Sequence, residues 1–352
     1  MKITKVEVHP IELPLIEPFE IALGTQTAAS NLLVVITIED DTTGYGEGAP
    51  IPPVTGDTQT SAISIAKAAA DLLVDEPIRA YRRLIETVRS TFRGSPSATL
   101  AIEMAILDVY FRANHLPLSA LFGGDPRPVR TDITIPIVES SVAAKRTNSA
   151  VARGFDAFKI KTGGDVEDDL DRLMAVREAA PSAQLKVDAN QGWTIAEAIQ
   201  FADRCADQGI GLELLEQPVR ADDIAGMAAV TEGTKVPVAA DETVFTPTDA
   251  LEVARERAAS VINVKLGKSG LIGANAIVNI AQAANLDLMI GCMLESSLAI
   301  HAAAHLVGGT NAFSYVDLDS NQLLKKDLIE VPPGPMINPS GPGHGVVPEM
   351  DR

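Results

Sequence analysis

From Gly123 onward, short apolar runs alternate with helical stretches at a nearly constant spacing: TDITIPIV, AFKIKTG, QLKVDAN, LELLEQP, VPVAADE, VINVKLG, LDLMIGCM and SYVDLDS. Lys161 to Asp188 is 27 residues, and the next intervals, to Glu216, Asp241 and Lys265, are 28, 25 and 24. A period of this length holds one strand, one turn, one helix and one turn back. Eight such units predict a (β/α) barrel whose last helix is missing or displaced. A doubly wound open sheet is the rival, but no GxGxxG follows the first strand.

The residues before the repeat read differently. ITKVEVHPIEL and NLLVVITIED carry the β-branched runs of strands, and the glycine-rich GYGEGAP that follows reads as a turn. Helical periods are expected over 58–74, 78–92 and 96–114, the last with Leu100, Met104, Leu107 and Phe111 on one face. Strands followed by helices suggest an α+β unit over 1–125. The tail from Val331 is dense in proline and glycine and cannot form a helix or a central strand.

Nearly every barrel strand ends in a charge: Lys161, Asp188, Glu216, Asp241, Lys265, then Asp317 and Asp319. In a (β/α) barrel these ends open on one face, where buried charges require mutual pairing or a metal. Asp188, Glu216 and Asp241 come from three consecutive strands and can converge. Three carboxylates without histidine or thiol suit Mg²⁺, with Mn²⁺ as a substitute. The bland alternative is that each acid caps the following helix. Lys159 and Lys161 share one side of the second strand, and their mutual repulsion, together with a nearby Mg²⁺, is expected to lower the pKa of one of them. Lys265 lies on the sixth strand, across the barrel. Two bases on opposite faces of one carbon could remove a proton from one side and return it from the other.

At these residues the chain resembles the enolase superfamily, and within it the muconate-lactonizing subgroup. The KxK of AFKIKTG, the KVDAN, LLEQP and AADE segments, and VKLGKSG carry the resemblance in order and spacing. A superfamily base of Lys or His acting with Mg²⁺ is an established pattern. The resemblance implies an α/β fold: a modified TIM barrel, (β/α)7β, over 126–330, with a capping domain over 1–125 completed by the tail, 331–352. It also implies Lys161 and Lys265 as the acid/base pair, Lys159 supporting an enolate, and one Mg²⁺ per subunit held by Asp188, Glu216 and Asp241. The DxD of SYVDLDS is similar to the clamp by which dipeptide epimerases hold a substrate ammonium group, a role for Asp317 and Asp319. Thr134, Met293 and Leu294 would line the pocket by family position. Epimerases selective for a C-terminal glutamate carry an arginine where this chain has Gly24, and EPFEIALGTQT contains no Arg or Lys. Hydrophobic or cationic dipeptides are therefore expected rather than Ala-Glu. A homo-oligomer is compatible with the subgroup.

Other classes fit less well. A formal net charge of −18 disfavours nucleic-acid and membrane surfaces as partners. The N-terminus makes a poor signal peptide and no apolar run could span a bilayer, so a cytoplasmic setting is expected. Cys205 and Cys292 form no framework or CxxC site. The HAAAH pair His301 and His305 lacks the glutamate of HExxH, GKSGLIG lacks the P-loop order, and Trp193 fits packing as well as recognition. The alternatives that stay open are an o-succinylbenzoate synthase or N-succinylamino acid racemase, and a non-catalytic metal-binding scaffold.

Overall fold

The structure, a computed structural model, describes residues 1–21 and 24–349. A three-stranded antiparallel sheet opens the chain: β1 (Ile3–Ile21), β2 (Gly24–Ile38) and β3 (Thr43–Gly48), in that order. Helices α1 (Pro52–Thr55), α2 (Gln59–Ala70), α3 (Tyr81–Thr91) and α4 (Pro96–Ala113) follow. The expected turn at GYGEGAP is in fact strand β3. Its glycines serve close packing, since a Cβ at Gly44, Gly46 or Gly48 would lie 2.0–2.3 Å from backbone atoms of α4. Glycine in a strand can mark a turn or such an approach, and here it is the second. The intervening Glu47 is fully buried.

A two-residue strand, β4 (Val129–Arg130), leads into the barrel strands β5 (Ile133–Ile135), β6 (Ala157–Lys161), β7 (Gln184–Asp188), β8 (Leu212–Glu216), β9 (Val238–Ala240), β10 (Val261–Lys265), β11 (Asp287–Gly291) and β12 (Tyr315–Val316). These eight form one sheet in sequence order, every neighbouring pair parallel. Seven helices connect them: α5 (Ser140–Ala152), α6 (Val166–Ala179), α7 (Ile195–Asp207), α8 (Ile224–Gly233), α9 (Pro247–Glu256), α10 (Leu266–Ala283) and α11 (Ser297–Thr310). After β12 a 3-10 turn, Ser320–Leu323, stands where an eighth helix would begin, and no α-helix follows among the described residues. The edges of the sheet meet where Asp132 N–H donates to Val316 O at 3.4 Å and Leu318 N–H to Thr131 Oγ1 at 2.7 Å. Parallel strands covered on both faces bury continuous apolar runs, and every residue of β10 is buried.

Two features dock the first sheet and helices onto the barrel. Helix α10 is broken at Gly270 (φ 67°), and the groups freed there are taken by a pair from α3 and α4. Arg89 donates to Ser269 O at 2.5 Å, Glu103 accepts from Ile272 N–H at 2.8 Å, and the two are ion-paired. The tail pairs β13 (Met336–Ile337) with β4, then reaches α4, where His344 N–H donates to Asp108 and Arg112 to Val346 O. Among the described residues no helix is long and apolar enough to cross a membrane.

Candidate active site

Side chains alternate along a strand, so Lys159 and Lys161 of β6 face the barrel interior while Phe158 and Ile160 pack between strand and helices. The parallel register sets Lys161 beside Asp188 and Asp188 beside Glu216, and Asp241 follows β9 directly. One oxygen of each of the three acids lies within 4.8 Å of the others, and all three residues are buried.

The lysines interlock with this trio. Lys161 Nζ donates to Asp188 Oδ2 at 2.7 Å, and Lys159 Nζ lies 3.0 Å from the same oxygen and 2.9 Å from Glu216 Oε2. From the other side Lys265 Nζ donates to Asp241 Oδ2 at 2.6 Å. Burial alone would raise the pKa of Asp188 and Asp241, but the surrounding ammonium groups outweigh it and hold both well below the usual carboxylate range. Glu216 goes the other way: burial and the adjacent Asp188 push it up to about 8. Lys159 is held in its charged form. Burial disfavours its charge, yet Asp188, Asp317 and Glu216 hold it well above the ordinary value.

The set fits a hard divalent cation. All its donors are carboxylate oxygens, and Glu216 Oε2 is buried without a properly directed hydrogen bond.

A second trio, Asp132, Asp317 and Asp319, lies between β5 and β12 with oxygens likewise within 4.8 Å. Asp317 Oδ2 accepts from Lys159 at 2.8 Å, leaving Oδ1 without a hydrogen bond. Asp319 Oδ2 accepts the Thr134 N–H at 2.6 Å, and burial with the nearby Asp317 pushes its pKa up to about 6. Asp132 sits 2.5 Å from the ammonium of Lys186. One cleft brings together Lys159, Lys161, Lys265, Asp241, Asp317, Asp319, Thr134, Met293 and Leu294. Asp188 and Glu216 are buried behind it, paired with the lining Lys159 and Lys161. Phe19, Gly24, Gln26, Ile51, Pro53 and Val54, all from the chain before the barrel, close the cleft above.

Several participants carried no legible signal. Lys268 donates to Asp241 Oδ1 at 2.6 Å and to its backbone oxygen at 2.5 Å, although GKSG reads as a helix opening or a false phosphate loop. Asn190 accepts from Lys161 at 3.1 Å and donates to Glu242 at 3.2 Å, and Asn263 donates to Glu216 Oε1 at 2.7 Å. Asn190 could have been noticed in the KVDAN run, two residues past Asp188. The remaining distractors are structural. His305 is buried in α11, Trp193 packs on Phe201 at 4.6 Å, and Cys205 is a buried thiol raised to about 12 by desolvation.

Comparison with known proteins supplies the context. Residues 3–123 match the mandelate racemase / muconate lactonizing enzyme N-terminal domain, and residues 142–352 match the enolase C-terminal domain-like family. The chain is 41% identical over 319 residues to an aromatic dipeptide epimerase of Herpetosiphon aurantiacus, covering 90% of each chain. It is 36% identical over 355 residues to the L-Ala-D/L-Glu epimerase of Bacillus subtilis, covering 99% of this chain and 97% of the relative. It also superposes on the dipeptide epimerase of Enterococcus faecalis complexed with Mg and L-Leu-L-Tyr. That match has a TM-score of 0.94 and 34% identity, over 98% of this chain and 99% of the other.

Proposed function

The chain belongs to the mandelate racemase/muconate lactonizing enzyme family of the enolase superfamily, and from that premise we propose that it epimerises dipeptides at the α-carbon of the C-terminal residue. The carrying observation is the pair of lysines on strands two and six of the barrel, Lys161 and Lys265, lining one cleft with the DxD of strand eight. An α-proton beside a carboxylate is very weakly acidic, because its removal adds a second negative charge to that group. Mg²⁺ held by Asp188, Glu216 and Asp241 would polarise the substrate carboxylate and so acidify the neighbouring C–H.

The protein groups divide the remaining work. Asp317 and Asp319 orient the substrate by accepting from its ammonium group, a charge-assisted contact for which Asp317 Oδ1 is available. One lysine, as the free amine, takes the α-proton from one face and becomes an ammonium. The electron pair left behind delocalises into the carboxylate as an enolate, beside which the Lys159 ammonium supplies fixed positive charge. The opposed lysine, as the ammonium, delivers a proton to the other face, and the configuration inverts. The reverse reaction exchanges the two roles.

For the epimerised residue we favour hydrophobic or cationic side chains over glutamate. Gly24 contributes no charge to the cleft, and Arg146, which reaches the hairpin at Glu17, is ion-paired with it. Phe19, Ile51, Pro53, Val54, Met293 and Leu294 offer apolar surface.

Incubation with Mg²⁺ and pooled L,L-dipeptides in D₂O, read by mass spectrometry, tests the proposal. Gain of one carbon-bound deuterium without loss of water, abolished by EDTA, is the expected outcome. Exchange of N-succinyl amino acids with none of dipeptides would overturn the substrate class in favour of an N-succinylamino acid racemase.

A further inference from the structure

We propose that Asn31 and Glu47 are positioning residues that set the size of side chain the cleft accepts. The inference rests on the dipeptide reading above and deepens it. Neither residue lines the cleft; both act through one that does.

The Asn31 side-chain amide donates to Leu294 O at 2.9 Å and to Glu47 Oε1 at 2.8 Å. Glu47 in turn accepts the Ser296 N–H at 3.0 Å and the Ser296 hydroxyl at 2.5 Å, where Ser296 caps the N-terminus of α11. Asn31, Glu47, Leu294 and Ser296 are all buried. The pair thus grips the segment after β11 on both sides of Glu295, immediately beyond the cleft-lining Met293 and Leu294.

Asn31 sits on β2, the strand whose beginning supplies Gly24 and Gln26 to the opposite wall. That strand is paired to β1 on one side, and from Leu32 onward to β3 on the other. Gln59 Nε2 also fixes the Asn31 carbonyl at 2.8 Å. Anchoring Asn31 to Leu294 O therefore registers one wall against the other across the substrate gap. Packing between the units would need no buried carboxyl, yet Glu47 is fully buried, pairs with no basic group among the described residues, and has its pKa raised by desolvation. Its hydrogen bonds are directional, and they converge on the backbone whose position decides the width of the gap.

A side chain that touches both walls feels that width, and one too short to bridge them does not. The reacting groups on β6, β7, β8 and β10 hang from strands that neither residue touches. The tie should therefore govern discrimination by size rather than the chemical step.

The test compares L-Ala-L-Phe with L-Ala-L-Ala for wild type, Asn31→Leu and Glu47→Gln, following α-deuterium exchange and epimerisation with Mg²⁺ present. Glu47→Gln keeps the side-chain size while replacing one accepting oxygen by a donor, so it carries the test if Asn31→Leu does not fold. The expected result is a KM for L-Ala-L-Phe raised about tenfold or more, with kcat and all constants for L-Ala-L-Ala within about threefold. Equal losses on both dipeptides, or no change on either, would overturn the inference while leaving the activity in place. Wild-type protein that exchanges no dipeptide would overturn the functional reading itself, and this inference with it.

Discussion

The two carboxylate trios have nearly the same make-up and burial but different electrostatics. Asp188, Glu216 and Asp241 are laced by Lys159, Lys161, Lys265 and Lys268, and two of the three acids stay firmly ionised. Among the described residues Asp132, Asp317 and Asp319 make ion pairs only with Lys186 and Lys159, and two of them are pushed up, Asp132 by burial and Asp319 to about 6. Three buried acids are thus not one kind of site. The trio with more cationic support holds fixed charge at the point where a divalent ion is proposed to bind. The trio with less has acceptor capacity that a single ammonium would satisfy.

The largest test of this contrast substitutes the first trio. Asp188→Asn should abolish Mg²⁺ binding by calorimetry and lower exchange by on the order of a thousandfold, whereas Asp132→Asn should leave Mg²⁺ affinity unchanged. Equal loss of metal in both variants would erase the distinction.

Next in size is Asp317→Asn. It should raise KM for free dipeptides about 10- to 100-fold while Mg²⁺ affinity stays within about threefold. N-acetylated dipeptides, which lack the ammonium, should lose nothing further.

A smaller effect follows from acid. Asp319 is charged only above about 6, so KM should rise as pH falls through that value, by no more than about tenfold per unit. A KM flat from pH 7 to 5 would remove Asp319 from the clamp.

The last test serves as the control, because it acts on the fold alone. Burial lowers His301 and His305 to about 4 each, so both are neutral in the folded chain while the unfolded chain takes up protons below about 6.5. Stability should fall as pH drops from about 6.5 towards 4. At pH 5 the loss should be about 2 kcal/mol for His305 and less for the partly exposed His301. Urea melts at pH 7 and 5 read it directly.

The barrel was legible because its period is written in strand-ending charges, and the first trio because consecutive parallel strands carry their ends into register. What escaped reading lies where contacts join distant segments. Nothing local to Lys268 announces that it reaches back to Asp241, and no spacing ties Lys186 to Asp132. Strand β3 was misread for a related reason: its glycines answer to α4, 49 to 65 residues later, not to their own neighbours. Glu47 was hidden inside that misreading.

Gly24 bears on how such a chain could diversify. Its φ of 135° strains any other residue, but a Cβ there meets nothing within 4 Å. The charged floor offers no such latitude, since each of its groups is bonded to others that would have to change together. At the rim, by contrast, the cost of change is local: a single replacement at residue 24 carries backbone strain but displaces no neighbour, and would set a new charge beside the cleft. The interlocked lysines and carboxylates would be inherited unaltered.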